Sequence, residues 1–322
     1  SLHRKIEFGN EQYKLGLGGL HSVDKPGSFY SDDDTVLFDI DVASYYPRII
    51  LNAGYYPAHI GPVFLDIYRN IVETRLAAKK SGDKVTNAAL KIVINGTFGK
   101  FGSKYSKLYS PDLMFHTTVT GQLCLLMLIE KLCGLVISAN TDGITVAVPH
   151  HQLEKVQAIV QGWEDYTGFD MEWTKYRSLH RRDVNNYFAI TAEGKIKTKG
   201  VFAEPGLSKN PANRVIYEAV IDHYKNGTPV ESFIHGCDDV RKFLSLRTVN
   251  GGAKWGDELL GKSVRWYHSA ISDKCVEYQT NGNKVPLTDN SVVLQDLPDY
   301  VPWDVDRSWY IDEAKKLIEV MG

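Results

Sequence analysis

The sequence is poor in the features that mark several common classes. It has four cysteines, Cys124, Cys133, Cys237 and Cys275. No two of them form a CxxC pair, so neither a zinc site nor a disulfide-stapled secreted fold is expected. No run of 18 apolar residues occurs, so no transmembrane helix and no membrane partner are expected. No signal peptide is visible, and an intracellular, reducing setting is the expectation. Internal repeats and low-complexity tracts are absent. The chain opens on SLHRKIEFGN without an initiator methionine, and a processed product or a shortened form is the expectation. It also lacks positive charge overall, with a formal net charge of −2, and on average that argues against a nucleic-acid partner.

The average conceals two opposed segments. Residues 173–200 carry Lys175, Arg177, Arg181, Arg182, Lys195, Lys197 and Lys199 against Asp183 and Glu193. Residues 286–313 carry Asp289, Asp296, Asp299, Asp304, Asp306, Asp312 and Glu313 against Arg307 alone. Phosphate binding needs a local basic surface rather than a basic total. With 43% hydrophobic and 24% charged residues, the 322-residue chain can build a globular core in about two domains.

The Gly-rich residues 1–30 predict short strands and loops. TVLFDIDVAS (35–44) alternates, with Val36, Phe38, Ile40 and Val42 on one face and Asp39 and Asp41 on the other. A turn and short helix follow. Residues 64–80 and 85–99 predict two helices around the turn SGDK (81–84), an αα-hairpin. Another helix is expected around 117–133, and an amphipathic one over 151–168. SANTDGITVAV (138–148) predicts a β-hairpin with Thr141, Asp142 and Gly143 in its turn and Ile144, Val146 and Val148 on one face. Strands are expected near 170–202. Pro, Gly and Asn in EPGLSKNPAN (204–213) predict a boundary, followed by a mostly helical start and a final helix at IDEAKKLIEV. The tryptophans at 255, 266, 303 and 309 are expected in that region's core.

One constellation carries chemistry. A strand presents Asp41 and a hairpin presents Asp142. Arg75 and Lys79 lie four apart on one helix of the αα-hairpin, and Lys91 and Asn95 four apart on the other, each pair on one face. Two carboxylates on neighbouring strands can hold two divalent cations, and Mg²⁺ suits carboxylate oxygen plus substrate phosphate. Three cations on a helical hairpin can clamp a triphosphate.

These residues resemble the motifs of the family B DNA polymerases. DVASYYPRII (41–50) is similar to motif A, D-x-x-S-L-Y-P-S-I-I. KIVINGTFG (91–99) is similar to motif B, K-x-x-x-N-S-x-Y-G. NTDG (140–143) is similar to motif C, D-T-D-S. The three occur in the family's order, and the resemblance covers roughly residues 15–200. It implies an α+β fold: a polymerase right hand with an antiparallel palm sheet, short helical-hairpin fingers and a C-terminal thumb. Palm would span 1–63 and 101–204, fingers 64–100 and thumb 205–322.

The resemblance also implies roles. Asp41 and Asp142 would bridge two Mg²⁺ ions, Mn²⁺ being a substitute, and the Val42 carbonyl would complete one shell. Lys91, Arg75 and Lys79 would hold the triphosphate, with Lys91 counted among the catalytic groups. Backbone N–H groups near Ser44 and Tyr45 would meet the phosphates. Asn95 would shape the nucleotide pocket, and the Tyr46 ring would exclude a ribose 2′-OH. The partners implied are primer–template DNA and dNTPs, with the protein a monomer.

Three departures stand out. Asn140 replaces the first Asp of motif C, which lowers the site's negative charge; Asp39, on the face of Asp41, is a candidate to restore it. The family's basic primer-holding K-K-R-Y stretch is here DVNNYF (183–188): Tyr187 is kept, Asn185 and Asn186 stand for lysines, and Arg181, Arg182, Lys197 and Lys199 are expected to supply charge to DNA. GLGGLH (16–21) is similar to the Gly-Gly turn that joins exonuclease to palm, but lacks the family's tyrosine two residues before the glycines. The chain starts near it, so no room is expected for a proofreading exonuclease; the resemblance implies either the polymerase module of a larger phage or mobile-element enzyme, its upstream exonuclease or N-terminal domain missing from this chain, or a naturally exonuclease-free polymerase. The alternative is a catalytically impaired remnant that binds primer–template DNA. A reverse transcriptase would carry Y-x-D-D and lack K-x-x-x-N.

Overall fold

The computed structural model describes residues 4–9, 11–206 and 209–322. Two compact units divide the chain: Ser1–Lys25 with Phe29–Ser178, and Pro26–Ser28 with Leu179–Gly322.

The first unit is α+β. Its strands are β1 (Arg4–Phe8), β2 (Glu11–Gly16), β3 (Gly19–Ser22), β4 (Gly27–Tyr30, which begins in the second unit), β5 (Thr35–Val42), β6 (Val136–Asn140), β7 (Gly143–Pro149) and β8 (Met171–Asp183, which runs on into the second unit). The sheet runs β1-β2-β3-β6-β7-β5-β8. Its pairings from β1–β2 through β5–β8 are antiparallel. The alternation over 35–42 forms β5 as expected, and Val36, Ile40 and Val42 share a core with Leu125, Ile129, Val156, Val160 and Trp163.

The helices are α1 (Tyr45–Asn52), α2 (Val63–Ser81), α3 (Lys84–Phe101), α4 (Pro111–Lys131) and α5 (Leu153–Thr167). Gly82, in the left-handed region at φ 80°, ends α2, and the Asp83 carboxylate accepts from the Thr86 N–H to start α3. A second core forms from Ile50, Phe64, Tyr68, Val72, Ile94 and Phe101. Helix α4 starts earlier than 117, because Pro111 occupies its first turn. By length and composition α4 could cross a membrane; Leu125, Leu126, Leu128 and Ile129 are buried in the first unit's core.

In the second unit the end of β8 is followed by the antiparallel hairpin β9 (Asn186–Thr191) and β10 (Ile196–Lys199). Helices α6 (Arg214–Asn226) and α7 (Val230–His235) come next, as the helical start predicts. The sequence did not announce the short strands β11 (Ser245–Thr248), β12 (Ala253–Trp255), β13 (Glu258–Leu260), β14 (Ser263–His268), β15 (Val276–Tyr278) and β16 (Ser291–Val293). They form two three-stranded sheets, β11-β14-β16 and β13-β12-β15. Helix α8 (Arg307–Met321) follows.

The units divide before β9 rather than near 204–213, because Phe188 of β9 and Phe202 pack with Val215, Ala219 and Tyr310. Leu207 and Ser208 of that stretch lie outside the described residues. Trp266 is buried, and Trp255 and Trp309 pack against cores. Trp303 is not core: it is 84% exposed. The inward-facing residue there is Asp304, whose carboxylate accepts from Tyr267 and Ser269 hydroxyls.

Candidate active site

The alternation of β5 and the tight turn between β6 and β7 bring the two predicted carboxylates to one end of the sheet. Strand β5 pairs along β7 from Thr35↔Pro149 to Asp41↔Gly143. At its end the Val42 N–H donates to the Asp142 carbonyl at 2.8 Å. The two-residue loop needs Thr141 at φ 57°, and the Thr141 N–H is held by the Leu20 carbonyl at 2.7 Å. Asp142 is exposed and Asp41 half-buried. Glycine at 143 is required by proximity: a Cβ there would collide with Asp41 Oδ1 and stand 3.0 Å from the Ile40 carbonyl.

Asn140 ends β6, opposite His21 of β3, and its Oδ1 accepts from the Thr141 hydroxyl at 3.2 Å. Asp39 is no substitute for the missing charge. It is 6% exposed and accepts from the hydroxyls of Thr145 (3.1 Å) and Tyr176 (2.6 Å). A buried carboxylate with such donors belongs to the sheet's internal network.

The chain turns sharply after β5. The Ala43 N–H donates to the Asp170 carbonyl, and Ser44 takes a left-handed conformation at φ 55° ahead of α1. Buried Tyr45 donates to the Gly121 carbonyl at 2.5 Å. Tyr46 stacks on Phe98 of α3, with ring centroids 4.2 Å apart and 21° between planes. Burial, and then the charge of Asp142, push the Tyr46 phenol up to about 12. A Cβ on Gly19 would lie 3.0 Å from Thr141 and 3.3 Å from the Tyr46 hydroxyl, which gives the second residue of the Gly18-Gly19 pair a steric purpose.

Helix α2 buries Phe64, Tyr68 and Val72, and Arg75 and Lys79 continue that stripe at helical spacing. Both cations therefore turn toward the sheet. Arg75 donates to the Ser44 hydroxyl at 2.6 Å and to Asn87 Oδ1 at 3.2 Å. Lys79 pairs with Glu172 of β8, and Glu172 is the cross-strand partner of Asp41. Lys91 and Asn95 are exposed on α3; Phe98 follows on the same face. Sequence reading missed Glu172, Phe98 and Gly143 as site residues. Phe98 had a signal, seven residues after Lys91 on one helix face; the register placing Glu172 beside Asp41 had none.

The oxygen donors at the end of β5 are the Asp41 and Asp142 carboxylates and the Val42 carbonyl. This hard-oxygen set fits Mg²⁺, which takes few protein ligands and fills its shell with water and phosphate. Among the described residues no group of three or more His, Cys, Asp or Glu side chains is arranged to hold a metal.

The second unit holds the other predicted set. Tyr187 faces Lys199 across the β9–β10 pair, with the Lys199 ammonium 6.0 Å from the Tyr187 ring. Lys197 and Lys199 are half-buried, and Arg182 pairs with Asp183 at 3.4 Å. Arg181 is 6% exposed, so it lies inside the fold rather than on the basic face. Asn185 and Asn186 build a turn around Asp183: the Asn185 N–H and the Asn186 amide each donate to its carboxylate at 2.9 Å. Burial works against the Asp183 charge, but these donors and Arg182 hold its carboxyl below the usual range.

No family model matches the chain. Its fold is similar to the structure of the family B DNA polymerase from Pyrobaculum calidifontis, with a TM-score of 0.55 and 14% identity over 99% of this chain and 48% of that one. In sequence it is similar to DNA polymerase 1 of Aeropyrum pernix, 28% identical over 187 residues, and of Sulfolobus acidocaldarius, 28% identical over 142 residues. These matches cover 53% and 42% of the chain but only 18% and 16% of the relatives, so the matched part is a small share of those proteins.

Proposed function

We propose that the chain is the polymerase portion of a family B DNA polymerase, adding dNTPs to a primer 3′-OH under the direction of a template. The observation that carries this reading is the junction of Asp41 and Asp142 across β5 and β7, closed by the Val42–Asp142 backbone bond and faced by Arg75 and Lys79. Partial similarity to archaeal DNA polymerases 1 and the shared fold support it.

In this reading the first unit supplies palm (1–63 and 101–204, in part) and fingers (64–100), and residues 205–322 supply the thumb. Asp41, Asp142 and the Val42 carbonyl would hold two Mg²⁺ ions. Such ions, when bound, activate the attacking oxygen and stabilise the leaving pyrophosphate. Arg75, Lys79 and Lys91 bind the triphosphate and offset charge as it shifts to the leaving group. Arg75 and Lys79 exchange their present partners, Ser44 and Glu172, for phosphate oxygens. The backbone at Ser44 and Tyr45 and the Asn95 amide orient the nucleotide. The Tyr46 ring, fixed by Phe98, leaves no room for a ribose 2′-OH. Tyr187, Arg182, Lys197 and Lys199 bind DNA phosphates. The protein works as an intracellular monomer.

Extension of a labelled primer–template with dNTPs or rNTPs, in Mg²⁺ or Mn²⁺, tests the reading. Extension with dNTPs that disappears in Asp142→Ala is the expected result. Asn140, in the place of a family carboxylate, favours a second reading, an impaired remnant; binding of primer–template without extension in either metal would select it.

A further inference from the structure

Residues 84–111 hold five lysines, Lys84, Lys91, Lys100, Lys104 and Lys107, and no Asp or Glu. The proposed chemistry uses Lys91. Lys100, Lys104 and Lys107 lie at the end of α3 and in the loop 102–110, beside Tyr105 and Tyr109.

Tyr105 is 88% exposed. The Lys104 ammonium lies over its ring, 5.2 Å from the centroid. The loop that presents this ring is well tied. The Ser110 N–H donates to the Phe101 carbonyl at 2.9 Å, Ser106 to Ser103 at 2.9 Å and Tyr109 to Ser106 at 3.1 Å. The Leu108 N–H donates to the Ser106 hydroxyl at 3.0 Å. His59 meets the Lys107 carbonyl at 2.7 Å, and Leu108 packs on the core around Phe101. Single exposed aromatics are ordinary on protein surfaces. Here a fixed backbone carries one that is 88% exposed, with three cations within five residues of it in the chain.

That combination suits one ligand class. Ammonium groups take phosphates, and an open aromatic face takes an unstacked base; a duplex hides its base faces, whereas a single strand offers them. Two other rings are also highly exposed, Trp303 at 84% and Tyr166 at 77%, but they sit among Asp296, Asp299 and Asp306 in the one case and Glu164, Asp165 and Asp170 in the other, where a phosphate backbone would be repelled. Phe98, stacked on Tyr46, ties the end of α3 to the proposed nucleotide pocket, and the loop begins four residues later.

We propose that Tyr105, with Lys100, Lys104 and Lys107, forms a contact for the single-stranded template as it approaches that pocket. The stacking chemistry rests on the loop alone; the template assignment rests on the polymerase reading.

The test is fluorescence anisotropy of the full chain with a labelled oligo(dT) and with a blunt duplex, over a salt series. Tyr105→Ala should weaken oligo(dT) binding by about tenfold, the loss of one base stack, and leave the duplex unaffected. Tyr105→Phe should bind as the parent does. Lys104→Ala with Lys107→Ala should lower the slope of log affinity against log salt by roughly 1.4, about 0.7 per phosphate contact on a single strand. Oligo(dT) binding absent in the parent, indifferent to Tyr105→Ala, or lost in step with duplex binding would overturn the proposal. Primer extension in parallel separates the two readings. Tyr105-dependent binding without extension keeps the contact and removes the polymerase. Extension indifferent to template overhang and to Tyr105 does the reverse.

Discussion

Asp41 and Gly143 face each other across β5 and β7 so closely that residue 143 can carry no side chain without striking the Asp41 carboxylate. Gly143→Ala should therefore displace that carboxylate while leaving the fold intact. Misplacing a reacting group by about 1 Å costs on the order of 100-fold in rate. A loss of that size in primer-extension kcat/KM, with unchanged circular dichroism, is expected. Wild-type kinetics in the variant would mean that Asp41 takes no part.

Lys79 is held by Glu172, and both side chains are about half exposed. Exposed pairs contribute roughly 0–1 kcal/mol. Glu172→Gln should release Lys79 for phosphate and lower the dNTP KM by about two- to fivefold, with kcat unchanged. A collapse of kcat would instead assign Glu172 to the carboxylates beside it.

Asn140→Asp returns a negative charge to the end of β6. A unit charge at about 6 Å is worth roughly 0.7 kcal/mol even in a watery site. The Mg²⁺ concentration for half-maximal extension should fall about threefold or more. No change would show that position 140 lies outside the cations' field.

His268 reports on the second unit. Burial lowers its pKa, against the opposing pull of the Asp289 carbonyl and of Asp289, Asp306 and Glu313. Its Nδ1 meets the Asp289 carbonyl at 3.0 Å and its ring stacks on Trp309. Below the ordinary imidazole value of about 6.5, the unfolded chain takes up a proton that the folded chain resists. The stability held above that pH is lost as pH falls through it, and the loss levels off below the folded value. A thermal melt of the parent should decline from pH 7 toward pH 5. His268→Phe, which keeps the stack and cannot protonate, should flatten that decline.

The acid pair was legible because each residue sits in a local pattern: alternation around Asp41, and a turn flanked by alternation around Asp142. The helical hairpin was legible because Gly82 and Asp83 punctuate it. Asp39 shows the limit. Its place on the face of Asp41 could be read, but the hydroxyls of Thr145 and Tyr176 that occupy it come from two other strands. Glu172 reaches Asp41 only through the β5–β8 register, which no neighbouring residue encodes. The short strands between 245 and 293 escaped for a similar reason: three to six residues carry too little alternation, and buried Val264, Trp266 and Val276 set them by packing.

The Val42–Asp142 bond closes a ladder whose two sides lie far apart along the chain. Everything from Ala43 to Leu135, before β6 rejoins the sheet, is one large excursion from that ladder. Loop-closure cost rises only with the logarithm of length, so residues can be added at the Gly82 turn or in the 102–110 loop at small expense, with the acid pair unmoved. The length and the charge of the excursion can thus change while the geometry at its root stays as it is.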